Sequence, residues 1–414
     1  MVVLVATFII FLFFSGLLFS YNLLYIELKQ SFNSTTTQTG IPGAISISLF
    51  CFGSVVITIL FQKLGHRTTV LLGVSLCCLS LLLSSFAQHI SVLYFTYGVM
   101  YGIGFNACNI ASTDLILRSF DKCNATRATS TTLCAISIGF LASPCLKWLY
   151  ETYSWRIAFR ILCVVFALVG YPSALVMVEI NKSDDEDSGK EDSNTTQETF
   201  SIANYSALFR RRDFILCLIG ILLSTSAVTF TLISVGNYLS VNGMDLSVIS
   251  FVLVLMGVGD LAGRIIAAIF SDRLPISRIL QNALSNIAAA VPSICLPFIS
   301  TQIGRIVAFT VMSVPRAWLL VLTPSIAMEV SSDETRAESV AALYMAFGAG
   351  AFITTYFTDA IYDITGSYDM PWFICTGLYA LSTLCMVFSE RARRGRVQND
   401  VQRYDSVDKC CDKI

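Results

Sequence analysis

"INKSDDEDSGKEDSNTTQETFSIANYSALFRRRD", residues 180–213, is the one long polar interruption in a chain of 414 residues. It is acidic and rich in Ser and Thr, with no large apolar residue between Ile180 and Phe200. Such a stretch cannot bury enough apolar surface to offset the entropy of ordering, so it reads as a disordered, water-facing linker. What flanks it decides the fold. Six apolar runs precede it, at 2–27, 42–62, 68–87, 91–115, 129–149 and 157–179. Six more follow, at 214–238, 247–270, 277–299, 303–327, 338–358 and 371–389. A membrane-spanning helix needs about 20 predominantly apolar residues. Strands are excluded because barrel strands alternate in polarity, and these runs do not. The expectation is an all-α membrane protein with twelve transmembrane helices in two six-helix bundles: 1–179, the linker 180–213, 214–389, and a tail at 390–414.

Composition agrees. The chain is 55% hydrophobic and only 13% charged, and its mean hydropathy is +0.70. A soluble domain carries roughly twice that charged fraction, so the solvent for most of this surface must be lipid. The net charge of −1 hides an asymmetry. With the N-terminus in the cytosol, about 20 Lys and Arg fall in connections on that side and about 4 on the other. An even number of spans with both termini cytosolic follows. The basic residues are spread along membrane edges, which gives no reason to expect nucleic acid as a partner.

A weak internal repeat supports two related halves. "LFQKLGHR" (60–67) follows the second span and "IFSDRLPISR" (269–278) the eighth, the second of the latter half. Repeated halves in a membrane protein suggest a transporter with its site between them near the midplane. Gly98, Gly102, Gly104, Gly348 and Gly350 read as close-packing positions between helices. The 14 Cys are scattered without a C-x-x-C pair and read as small packing residues. The two His, His66 and His89, both fall in predicted loops, which argues against a histidine-based metal or catalytic site. No ATP motif and no organic cofactor is expected.

The chemistry concentrates in "LMGVGDLAGR" (255–264), where Asp260 and Arg264 interrupt an apolar run. One helical turn apart, they share a face. Unpaired, either is costly at the bilayer centre. One reading is a self-neutralising structural pair; the other is a water-filled cavity in which Arg264 binds a carboxylate and Asp260 gates it. Arg316, inside the tenth run in "VMSVPRAWLL", has no acidic residue within ten positions on its own helix. It must find a partner elsewhere, with Asp260 or an anionic substrate as candidates. Asp114 and Arg118 read as a membrane-edge pair, and Asp359 and Asp363 as residues flanking the outer end of the eleventh span. Asn33-Ser34-Thr35 is a glycosylation sequon in the first outer loop. Gly257-Val258-Gly259-Asp260 has the form of an intramembrane aspartyl protease motif. However, Tyr362-Asp363 comes after it rather than before, no Pro-Ala-Leu follows, and twelve spans in two halves is the wrong plan for that class.

Five stretches together resemble the monocarboxylate transporter family of the major facilitator superfamily. "SYNLLYIELKQSF" (20–32) is similar to the end of that family's first helix. "FNACNIASTDLILRSFDK" (105–122) is similar to its fourth helix and following loop, and "SWRIAFRIL" (154–162) to the start of its sixth. "DLAGR" (260–264) resembles the eighth-helix Asp-x-x-x-Arg, and "DAIYDITGSYDMPWF" (359–373) the turn between the last two helices. The resemblance implies alternating-access transport of small carboxylates, often with a proton, with Asp260 and Arg264 on the pair used for substrate and coupling. It also implies, for some members, aromatic amino acids, thyroid-hormone-like compounds or creatine as cargo without obligatory proton coupling. Some members use a single-span immunoglobulin-like chaperone as partner.

Two departures bear on coupling. The acidic-Gly-Gly-Trp-Gly-Trp motif ahead of helix one has no counterpart. Members that cotransport lactate and protons carry a Lys in helix one, whereas residues 1–28 here hold no Lys or Arg. Arg316 is expected to supply that positive charge from the opposite wall. The reading is a secondary active or facilitative carrier of carboxylate-bearing metabolites, with or without a proton. A non-transporting sensor or scaffold signalling through its linker is the alternative from another class.

Overall fold

The structure, a computed structural model, describes residues 2–34, 36–120, 124–141, 143–177, 202–332, 335–365 and 369–411, with no strand among them. The first half comprises α1 (Val2–Phe19), α2 (Tyr21–Phe32), α3 (Thr36–Phe52), α4 (Ser54–Leu64) and α5 (His66–Ser84). Next, α6 (Ile90–Leu93) passes through a π-helical stretch, Tyr94–Tyr101, into α7 (Gly102–Ser119). Then come α8 (Ala125–Leu141) and α9 (Ser143–Leu175), the latter broken at Ser154 (φ 67°, ψ 146°). The second half comprises α10 (Ile202–Phe209), α11 (Arg212–Val241), α12 (Leu246–Phe270), α13 (Arg278–Cys295), α14 (Gln302–Val330), α15 (Arg336–Thr365) and α16 (Asp369–Cys411).

Nine helices among the described residues are long and apolar enough to cross a membrane, and a tenth crossing follows if α3 and α4 form one bent span. The two remaining predicted spans are also helical. The run at 91–115 passes through α6, the π stretch and α7, and 129–149 begins in the 17-residue α8. The 55° bend between α3 and α4 has an identifiable cause. Asn106 of α7 inserts there, donating from Nδ2 to Leu49 O at 3.1 Å, while Ser54 donates to Asn106 Oδ1 at 3.4 Å. A side chain that competes for ladder carbonyls bends a helix, and Gly53 leaves room for it.

Helices α1 to α9 pack chiefly on one another, as do α11 to α16. Stacked rings fill the first group, among them Phe14 on Phe166 at 4.4 Å and Phe50 on Phe105 at 4.9 Å. In the second, fully buried Trp372 meets Phe230, Tyr238 and Phe309 edge-on. Val56, Val164 and Leu168 stand exposed on the outside, as lipid-facing residues should. Lipid tails are as apolar as these side chains, so packing rather than burial from water holds the bundle. The predicted close-packing glycines serve this. A Cβ on Gly102 would lie 2.7 Å from Ser46 O, and one on Gly350 2.5 Å from Leu222 O.

The two groups meet where α8 crosses α12 and α14 and where α15 crosses α3 and α4. Toward the linker end, Gln62 Nε2 donates to Glu338 Oε1 at 3.2 Å and the Arg127 N–H to Asp272 Oδ2 at 2.7 Å. The sequence repeat appears here as a doubled ion-pair device. His66, first in α5, places Nε2 2.8 Å from Asp114 Oδ2 near the end of α7. Arg278, first in α13, places Nη1 3.2 Å from Glu329 Oε1 near the end of α14, and Nη2 3.1 Å from Asp272 Oδ1.

Two expectations change. His66 is not in a loop: it begins a helix and is buried. Within the stretch read as linker, 202–209 is helical. Ile202, Tyr205, Leu208 and Phe209 recur at helical spacing, and Leu208 is buried; residues 180–201 lie outside the described residues. The helix α14 runs through both Pro315 and Pro324.

Candidate functional site

The local sequence of α12 explains why a charged pair tolerates this position. Gly259 and Gly263 lie four residues apart on the face turned to α14. A Cβ at Gly259 would collide with Ser313 Oγ, and one at Gly263 with the main-chain oxygen of Val314. The two helices therefore approach closely, in the small-xxx-small manner of membrane bundles. That brings Arg316 of α14 against Asp260 of α12. On the other side, α12 faces α8 of the first half.

Three donors converge on the Asp260 carboxylate. Arg264 Nε is 2.9 Å and Ser137 Oγ 2.7 Å from Oδ2, while Arg316 Nη2 is 3.3 Å from Oδ1. Arg264 also donates from Nη1 to Leu133 O at 3.0 Å. The Asp260 side chain is 13% exposed, Arg264 6% and Arg316 4%. Charges this buried are held only by pairing and hydrogen bonding. Two guanidinium groups face one carboxylate, which leaves one positive charge in excess. Among the described residues, Nε and Nη1 of Arg316 have no hydrogen-bond partner. Buried unmatched donors of an arginine are costly, and their protons suit the oxygens of a carboxylate.

The structure thus joins all three residues singled out from sequence in one network and adds two partners from the other half. Ser137 carried no signal in sequence, and the Leu133 partner is a main-chain atom. Asp114 is fully buried and accepts from both His66 and Arg118, the latter at 2.6 Å. It belongs to the paired device at the linker end and not to the central network. The side chains of Asp359 and Asp363 lie outside the described residues. Asn33 caps the end of α2 in the left-handed conformation (φ 48°) and is exposed. Among the described residues no group of three or more His, Cys, Asp or Glu is placed to hold a metal.

Comparison with known proteins settles the lineage. The family model of the Major Facilitator Superfamily matches residues 3–314. The chain belongs to the major facilitator superfamily. Its curated relatives at low identity include several monocarboxylate transporters. It is 26% identical to human monocarboxylate transporter 2 over 254 residues, covering 58% of this chain and 53% of that protein. It is 23% identical to rat monocarboxylate transporter 13 over 372 residues, covering 89% and 83%. Against human monocarboxylate transporter 12 the figures are 23% over 409 residues, 91% and 77%. Among solved structures, a variant of the E. coli fucose:proton symporter FucP superposes with a TM-score of 0.76 at 14% identity, covering 93% of this chain and 98% of that one. The superfamily fold, the multi-pass membrane location and the divergent kinship with monocarboxylate transporters stand together, and the protein is a transporter rather than an enzyme.

Proposed function

We propose that this transporter moves small carboxylate-bearing metabolites, monocarboxylates foremost, across the plasma membrane by alternating access of its two halves, with both termini in the cytosol. The observation that carries the reading is Arg316: a buried guanidinium with two nitrogens unmatched among the described residues, beside an Asp260–Arg264 pair already held to each other and to Leu133 O. The relatives' names and the positive charge in excess support the same class of cargo.

The geometry supports a different division of roles from the one expected from sequence. Arg264 has Nε on Asp260 and Nη1 on Leu133 O, so it anchors. Arg316 receives. Its Nη2 has two protons and gives one to Asp260. Whichever it gives, one planar edge, Nε with Nη2 or Nη1 with Nη2, remains for a carboxylate. Docking there loosens the 3.3 Å contact to Asp260, which frees an Asp260 oxygen for a proton in a coupled cycle.

The test is uptake of labelled lactate, pyruvate, ketone bodies, aromatic amino acids and creatine by expressing cells, at mildly acidic and at neutral external pH. Arg316→Gln is expected to raise KM about tenfold or more, from the roughly 1.5–3 kcal/mol of a hydrogen bond to a charged group. Arg264→Gln is expected to lower the maximal rate as well. Unchanged KM in Arg316→Gln would overturn the assignment. Uptake that rises in acid means proton coupling, and uptake indifferent to pH means facilitation. The predicted topology puts Asn33 outside, so peptide N-glycosidase should shift the wild-type band and leave Asn33→Gln unmoved. A wild-type band that does not shift counts against that placement.

A further inference from the structure

Two basic stretches far apart in sequence meet at the linker end of the second half: "FRRRD" (209–213), leading into α11, and "SERARRGR" (389–396), within α16. Ser389 Oγ donates to the main-chain oxygen of Asp213 at 2.6 Å. The Asp213 carboxylate, 4% exposed, takes Arg211 Nη2 at 3.0 Å and Arg396 Nη2 at 3.1 Å on one oxygen. Glu390, equally buried, takes Arg393 at 2.9 Å and Arg394 at 2.7 Å. Two buried carboxylates therefore pin four arginines rather than neutralise the patch, because the two stretches carry seven arginines and only these two acids. Arg278, Asp272 and Glu329 nearby add one positive and two negative charges and leave the sign unchanged.

The uncompensated charge is on the outside. Arg210, Arg212, Arg391 and Arg394 are exposed, and the first three have no acidic partner among the described residues. The patch sits at headgroup depth, since the apolar spans of α11 and α16 run over Arg212–Leu232 and Asp369–Arg396. Two half-exposed aromatic rings accompany it, Phe209 and Phe388, and the Arg391 guanidinium lies 5.9 Å over the Phe388 ring. Aromatic rings beside cations are the composition of the membrane interface. A topology signal alone requires positive charge on one side; it does not require two distant segments to be tied into one cluster by buried acids.

We infer that this patch binds the anionic headgroup of a membrane lipid, one with clustered phosphates above all, in the leaflet that faces the linker. Juxtamembrane clusters of four to eight Lys or Arg recognise such headgroups, and guanidinium forks match phosphate oxygens. The site is separate from Asp260, Arg264 and Arg316, and its occupation does not depend on the cargo.

The experiment is native mass spectrometry of the full chain after equilibration in three kinds of vesicle: phosphatidylcholine alone, with phosphatidylserine, and with phosphatidylinositol bisphosphate. The wild type is expected to retain the bisphosphate lipid at least tenfold over phosphatidylcholine, and phosphatidylserine to a lesser extent. The combined variant Arg210→Gln, Arg212→Gln, Arg391→Gln, three exposed arginines held by no buried acid, is expected to lose that preference with its thermal unfolding in phosphatidylcholine unchanged. Equal retention of all lipids by the wild type, or an undiminished preference in the variant, overturns the inference. Soluble inositol phosphate that displaces the lipid at matching concentration would assign the patch to a free anion instead.

Discussion

Asp260→Asn is expected to abolish transport and to destabilise the protein by about 3–5 kcal/mol, the range for removing one partner of a buried ion pair. The two guanidinium groups left behind are largely shielded from water, since Arg264 is 6% and Arg316 4% exposed. The amide oxygen of Asn can still accept from Ser137 or from one arginine, so the lower end of the range applies if the side chain keeps its place. Combining Asp260→Asn with Arg264→Gln removes one unmatched charge. The double variant is therefore expected to regain part of the stability and none of the transport. Thermal unfolding of the purified proteins, read beside uptake, separates the two effects. An Asp260→Asn variant that melts with the wild type would show that the arginines find other partners, and would remove the basis for Arg316 as receiver.

Gly263→Ala is expected to be far more damaging than Gly259→Ala, although the two glycines sit one turn apart on the same face. A methyl group at 259 meets first the Ser313 hydroxyl, which can rotate away. At 263 it meets the Val314 main-chain oxygen, inside a helix, which cannot. The only relief is to move α12 from α14, which also separates Asp260 from Arg316. Overpacking of this kind costs typically 1–3 kcal/mol, and here it disturbs the network as well. Gly263→Ala should therefore lose both melting temperature and uptake, while Gly259→Ala keeps most of each. Equal behaviour of the two variants would mean that the interface is looser than the close approach implies.

Much of this was legible in the chain, for particular reasons. Membrane helices announce themselves because lipid demands apolar runs of fixed length, and the polar break at 180–213 was read as the boundary between two halves. Asp260 and Arg264 were legible because ionisable residues are rare in spans and a four-residue spacing fixes their shared face. Arg316 was legible as a charge in search of a partner.

What escaped is equally specific. Ser137 looks like any membrane serine, and most of these satisfy themselves locally, as Thr7 does on Val3 O and Ser75 on Leu71 O. Nothing in sequence marks the one that reaches across to Asp260. His66 follows Gly65, the usual sign of a turn, yet the turn is so short that the histidine is already in the next helix. The helix α10 hid in a polar stretch because its apolar stripe is only eight residues long.

The bond from Arg264 to Leu133 has a consequence for how this protein can vary. Its acceptor is a main-chain oxygen, and every residue has one. Substitution at position 133 by any comparable helix-forming residue leaves that oxygen in place, so natural drift there is invisible to selection for the contact. The contact is inherited through the path of a helix rather than through a letter. Descendants can share it while sharing no residue at the position that makes it, and a comparison of their sequences alone would assign that position no part in the site.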